Sequence, residues 1–162
     1  MKAQRTRLMP SQALFGSVEQ LLQEGYDADF TVTGNSMWPL LSHKRDRVTI
    51  CSTEKMRPKK GDVVLYCPQP GKYLLHRIHR METDRFVAAG DGNCFVDGTF
   101  PVSNIVGVVV QLHRKGKTLR AHSPMLRFWG WVWIGLYPVR GGLLKLLRKI
   151  AGRKPGGGQG DR

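Results

Sequence analysis

The chain has 162 residues, enough for one domain, or a domain with an appendage, that buries a core without disulfide or metal staples. A hydrophobic content of 41% excludes an intrinsically disordered chain, and no run approaches the roughly 18 apolar residues of a spanning helix. The net charge of +14 opens the partner question with anionic lipid, nucleic acid or an acidic protein.

The first segment is basic and lacks the apolar run of a secretory signal. Residues 11–24 then place Leu14, Phe15, Val18, Leu21 and Leu22 at helical spacing, with Ser11 as N-cap and Gly25 just past the end. This predicts a short amphipathic helix. From Asp29 the pattern turns to short β segments: Phe30–Thr33, Val48–Cys51, Val63–Tyr66, Tyr73–His79, Phe86–Ala89 and the β-branched Ile105–Leu112. Lys115-Gly116-Lys117 reads as a hairpin turn into Thr118–His122. Seven or so strands without alternating helices predict a mainly β fold, a coiled antiparallel sheet or partly open barrel. Residues 1–28 would carry the helix and 29–122 the β domain.

Beyond Pro124 the composition shifts. Residues 111–162 hold 12 Lys+Arg and a single acid, Asp161, so most of the basicity belongs to the C-terminal part. Leu126–Tyr137 contains three of the four tryptophans, and Leu143–Ile150 is a basic amphipathic stretch. Residues 123–152 therefore read as amphipathic helices that pack on the sheet, dock at an anionic membrane surface, or both. Residues 153–162, rich in glycine, read as a disordered tail. The tryptophans are clustered and not interleaved with basic residues, which disfavours nucleic acid. Cys51, Cys67 and Cys94 form no CxxC pair, so neither a disulfide framework nor a zinc site is expected, and a cytoplasmic location, with peripheral membrane association, is the simplest compartment.

Chemistry concentrates in a few segments. Ser36 follows a Gly34-Asn35 break where a strand ends, so it can be presented on a turn with its backbone N–H free. In Tyr73–His79 the alternation puts Leu74, His76 and Ile78 on one strand face and Leu75, Arg77 and His79 on the other. A histidine on an apolar face is either a satisfied core residue or a partly desolvated base. Asp91, in Gly90-Asp91-Gly92-Asn93, and Asp97 offer carboxylates that could orient an imidazole. His43, His113 and His122 have no matching context, His79 is a second-choice base, and no metal or cofactor is called for.

In this order the segments resemble the signal peptidase I family, in its endoplasmic-reticulum and archaeal branch. The resemblance rests on the Ser36-Met37-Trp38-Pro39-Leu40 box, the Gly61-Asp62-Val63-Val64 strand, the His76-Arg77 pair and Gly90-Asp91-Gly92-Asn93 followed by Asp97. It covers about residues 30–110. Position 34 is a departure, since the family usually has a serine there. Gly-x-Ser-Met instead resembles the self-cleaving repressors of the DNA-damage response, which use a lysine base.

The resemblance implies a serine endopeptidase without cofactor, cutting a peptide or protein substrate bound as an added extended strand. Ser36 would be the nucleophile and His76 the general base. Asp97 would orient His76 while Asp91 holds the loop, with the two interchangeable on sequence grounds. The backbone N–H groups of Ser36 and Met37 would receive the oxyanion. Lacking a hydroxyl donor at position 34 implies slower catalysis, one such donor being worth about 10²–10³ in rate. The alternative is a self-cleaving regulator or non-catalytic binding module with a basic docking tail. Too few residues precede the first strand for a three-helix DNA-binding domain, which disfavours the repressor form.

Overall fold

The computed structural model describes residues 11–152; the sequence-predicted disordered tail lies outside them. The expected helix is α1 (Ser11–Gln23). It ends in a Schellman arrangement: Gly25, at φ +83°, lets its own N–H reach the Leu22 carbonyl and that of Tyr26 the Leu21 carbonyl. Val18 and Leu22 are its buried contacts with the core.

Eight strands follow: β1 (Ala28–Thr31), β2 (Arg47–Cys51), β3 (Val63–Gln69), β4 (Lys72–Met81), β5 (Arg85–Ala89), β6 (Gly98–Pro101), β7 (Ile105–Arg114) and β8 (Lys117–Arg120). All pairings are antiparallel. The sheet runs β1-β2-β7-β3-β4-β5-β6, with β8 paired to β7. It does not close, so the fold is an open sheet with β1 and β6 at its ends. One edge of β7 is covered by β2. The other is shared, β3 taking Ile105–Val108 and β8 taking Gln111–Arg114.

Sequence reading missed β6, whose Gly-Thr-Phe-Pro has little hydrophobic alternation and forms against β5 through tertiary pairing. The β7–β8 turn is as expected: Lys115 and Gly116 both have positive φ, as a two-residue hairpin turn of the primed type requires.

Strand β3 explains its unbroken apolar run by being buried on both faces. Val63 and Leu65 join the core built with α1, β1, β2 and the Met37–Leu41 turn. Val64 and Tyr66 join a second cluster with Ile78, Phe86, Ala88 and Val108. Because β4 is registered Val64↔His76 and Val63↔Arg77, His76 stands on the second face and Arg77 on the first.

The chain ends in α2 (Pro124–Gly135), capped by the Ser123 hydroxyl on the Leu126 N–H, and α3 (Arg140–Ile150). Gly130 and Trp133 of α2 and Arg140 and Leu144 of α3 are buried. No helix among the described residues is long and apolar enough to cross a membrane.

Candidate active site

The segment between β1 and β2 is tied down at its base. The Val32 N–H donates to the Asp46 carbonyl and the Lys44 N–H to the Val32 carbonyl. The Gly34 N–H donates to His43 Nδ1 at 2.8 Å, which gives His43 a structural role. Gly34 has φ +81°, a conformation that disfavours a serine at this position. Past it, Met37, Leu40 and Leu41 drive into the first core. Ser36 is left half-buried at the head of this anchored turn. The N–H groups of Ser36 and Met37 make no hydrogen bond among the described residues, leaving two adjacent donors unused.

His76 is buried on β4, and its Nδ1 lies 2.5 Å from Asp97 Oδ2. The same carboxylate oxygen accepts the Tyr66 hydroxyl at 2.7 Å. Burial, reinforced by this hydrogen bond and the neighbouring carboxylate, pushes the Tyr66 pKa far up, so the phenol remains a donor. Tyr66 was not anticipated as a site residue. The available signal was a buried tyrosine one strand over from His76, since a buried phenol needs a polar partner. With Nδ1–H donating to Asp97, a neutral imidazole carries its lone pair on Nε2.

Gly90 joins this pair to the Ser36 turn. A Cβ there would stand 2.4 Å from the Ser36 carbonyl oxygen, 2.9 Å from Asn93 Nδ2 and 3.1 Å from His76 Nε2. The Ser36 backbone and the free side of the imidazole thus converge on one point that only glycine leaves open. The Gly92 N–H donates to the Ser36 carbonyl at 2.7 Å, and a Cβ on Gly92 would meet the Asn35 carbonyl at 2.7 Å. Ser36 Oγ makes no hydrogen bond among the described residues.

Asp91 does not join His76. Fully buried, its carboxylate takes Arg77 Nε at 2.8 Å and Nη2 at 2.7 Å, while Arg77 Nη1 reaches the Gly61 carbonyl at 2.8 Å. Burial disfavours the Arg77 cation, but Asp91 outweighs it and leaves the guanidinium above its ordinary pKa. Asp91 is therefore placed as a loop anchor beside Arg77, while Asp97 is the carboxylate beside His76.

The second-choice base, His79, stands in different surroundings from His76. His79, where the β4–β5 register shifts, lies edge-on to Tyr137 with a buried Nε2 that has no partner. Burial, then the Arg140 charge, lowers its pKa to about 4. Among the described residues no carboxylate hydrogen-bonds its ring. His113 bridges Thr49 and Thr118, and His122 lies 3.2 Å from Asp62. Among the described residues no cluster of three metal-ligating side chains occurs.

The C-terminal helices reach the site through its loop. Trp133 Nε1 donates to the Asp91 carbonyl at 3.0 Å, and Arg148 to that of Gly92 at 3.0 Å. Arg140 Nη1 reaches the carbonyls of Gly90 and Asn93 at 3.3 and 3.4 Å, and its Nη2 that of Trp133 at 2.8 Å. Arg140 lies over the rings of Trp133 and Tyr137. Four successive carbonyls, Gly90 to Asn93, are thus gripped from one side, while the Gly92 N–H grips Ser36 from the other. Nothing in the sequence pattern singled out this clamp, because a backbone carbonyl leaves no residue signature.

Comparison of the chain with known protein families, curated proteins and solved structures gives no match.

Proposed function

We propose that the protein is a serine endopeptidase of signal-peptidase type, acting on a peptide or pro-protein. The observation that carries this reading is the Asp97–His76 pair, whose free Nε2 is turned toward the Ser36 turn across Gly90. In the proposed reaction Ser36 Oγ attacks the scissile carbonyl as His76 Nε2 takes its proton, and the protonated imidazole then delivers that proton to the leaving amine. Asp97 holds the tautomer and faces the charge that forms on the ring, and Tyr66 keeps Asp97 in place. The Ser36 and Met37 N–H groups, which have no acceptor among the described residues, face the developing oxyanion. Water, activated by the same imidazole, releases the acyl-enzyme.

The experiment is cleavage of a complex peptide library read by mass spectrometry, with wild type compared against Ser36→Ala, His76→Ala and the double variant. Each single change should remove cleavage, by a factor that reaches about 10⁶ in a comparable serine peptidase, and the double variant should be no worse than either. A folded Ser36→Ala protein that cuts the same bonds at the wild-type rate would refute the reading.

A further inference from the structure

The same two helices that grip the site loop also turn large apolar side chains outward, and among the described residues these stay exposed. On α2, Met125, Phe128, Trp129 and Val132 fall at one helical stripe and are 65%, 71%, 40% and 36% exposed. Leu146 and Ile150, one turn apart on α3, are 54% and 74% exposed. A run of large exposed side chains of this kind is unusual on a protein with no partner.

What surrounds the stripe selects the partner. Residues 123–152 carry five basic side chains and no acidic one. Arg140 is buried and Arg148 is spent on the Gly92 carbonyl, but Arg127, Lys145 and Lys149 are exposed, the two lysines flanking Leu146 and Ile150 on α3. From the turn before β3, Lys60 lies over the Trp131 ring at 5.1 Å, which adds a cation against α2. Apolar anchors, tryptophans that prefer a half-wet setting and a net cationic margin, in which the one carboxylate beside Lys60 and Trp131, Asp62, already faces His122, match the boundary of an anionic bilayer. A second copy of this chain would bring cations against cations, and a neutral apolar partner would leave the charge unanswered.

We infer that α2 and α3 dock this face on an anionic lipid bilayer, lying in its interface. The two helices then act on both sides: inward they hold the Gly90–Asn93 carbonyls, outward they meet lipid. The site loop is held about one helix diameter, roughly 10 Å, from the headgroups. The docking rests on the exposed face alone and stands whether or not Ser36 is a nucleophile.

The test is co-sedimentation of the full chain with phosphatidylcholine vesicles, with and without phosphatidylglycerol. Binding is expected with the anionic vesicles, falling as salt rises, with a blue shift in tryptophan emission. Phe128→Ser with Ile150→Ser, both on exposed positions, should keep the thermal melt and lose at least about tenfold in binding. Lys145→Glu with Lys149→Glu should lose a similar factor on anionic vesicles, at about one charge contact each. Wild-type binding by the Phe128/Ile150 variant would overturn the inference, as would equal binding to neutral and anionic vesicles or no binding to either. So would a dimer in sedimentation velocity that the Phe128/Ile150 variant splits, because a second copy would then own the face.

Discussion

Gly90→Ala is the smallest change that separates the Ser36 turn from the loop beneath it. The added methyl would stand 2.4 Å from the Ser36 carbonyl oxygen, against about 3.4 Å for ordinary contact. The obstacle is backbone on a turn pinned by Met37, Leu40 and Leu41, so no side chain can swing aside. The two loops must part by roughly 1 Å, which also stretches the 2.7 Å Gly92–Ser36 hydrogen bond. Forced overpacking of this kind costs about 1–3 kcal/mol. For a chain of this size that lowers the melting temperature by roughly 2–10 °C. A displacement of about 1 Å between reacting groups costs on the order of 10² in rate. Peptide cleavage measured well below the new melting temperature should therefore fall about a hundredfold while the protein stays folded. Gly142→Ala is the control: it sits in α3 with open space around it, and should gain up to about 1 kcal/mol with no change in rate. Wild-type cleavage by Gly90→Ala would refute the claim that His76 and Ser36 meet across this glycine.

Asp97→Asn should lower cleavage by up to about 10⁴ with little loss of fold, whereas Asp91→Asn should cost about 3 kcal/mol of stability by breaking the buried pair with Arg77; rates and chemical denaturation measured side by side distinguish them. His79 supplies a pH signature. Its folded pKa of about 4 lies below its ordinary 6.5, so the unfolded chain binds more protons between those values. Stability from the neutral ring is therefore full above about pH 6.5 and declines as pH falls toward 4, by about 1–2 kcal/mol once the ring's partial exposure is discounted. The difference in denaturation free energy between wild type and His79→Leu, compared at pH 7 and pH 5, should show that decline; a difference independent of pH would contradict it.

Strands with a strong internal pattern were legible in the sequence, and elements made by tertiary pairing were not. Val48–Cys51, Val63–Tyr66 and Ile105–Leu112 announce themselves through β-branched runs, and their boundaries fall within a few residues of β2, β3 and β7. Strand β6 has Gly98 at φ +130° and ends in Pro101, so only its pairing with β5 makes it a strand. Within the candidate site, Ser36 and His76 were readable because each occupies a distinctive local setting, a turn after a strand and an apolar strand face. Tyr66, Gly90 and the Trp133–Arg140–Arg148 grip were not. Their roles depend on distances between segments tens of residues apart, which no local periodicity encodes. The same grip changes what the C-terminal helices mean, since removing them would strip the carbonyls of Asp91, Gly92 and Asn93 of their donors and leave that of Gly90 with the Asn93 N–H alone.

The division of labour between the two carboxylates follows from one fact about β4. Adjacent residues of a strand face opposite ways, so His76 and Arg77, neighbours in sequence, need partners on opposite faces of the sheet. One loop supplies both: it presents Asp91 early, beside Arg77, and Asp97 six positions later, beside His76 and Tyr66. Exchanging the roles would leave a guanidinium that is 3% exposed without its carboxylate, an uncompensated buried charge that costs about 3–5 kcal/mol. The arginine also fixes geometry, because Nε and Nη2 grip both oxygens of Asp91 while Nη1 holds the Gly61 carbonyl. Lysine cannot reproduce that fork. Helix α2 closes over it, with Gly130 so near that a Cβ there would meet Arg77 Nη1 at 2.7 Å. Arg77 thus holds the loop in place, and in the proposed reaction His76 is the member of the pair left for proton transfer.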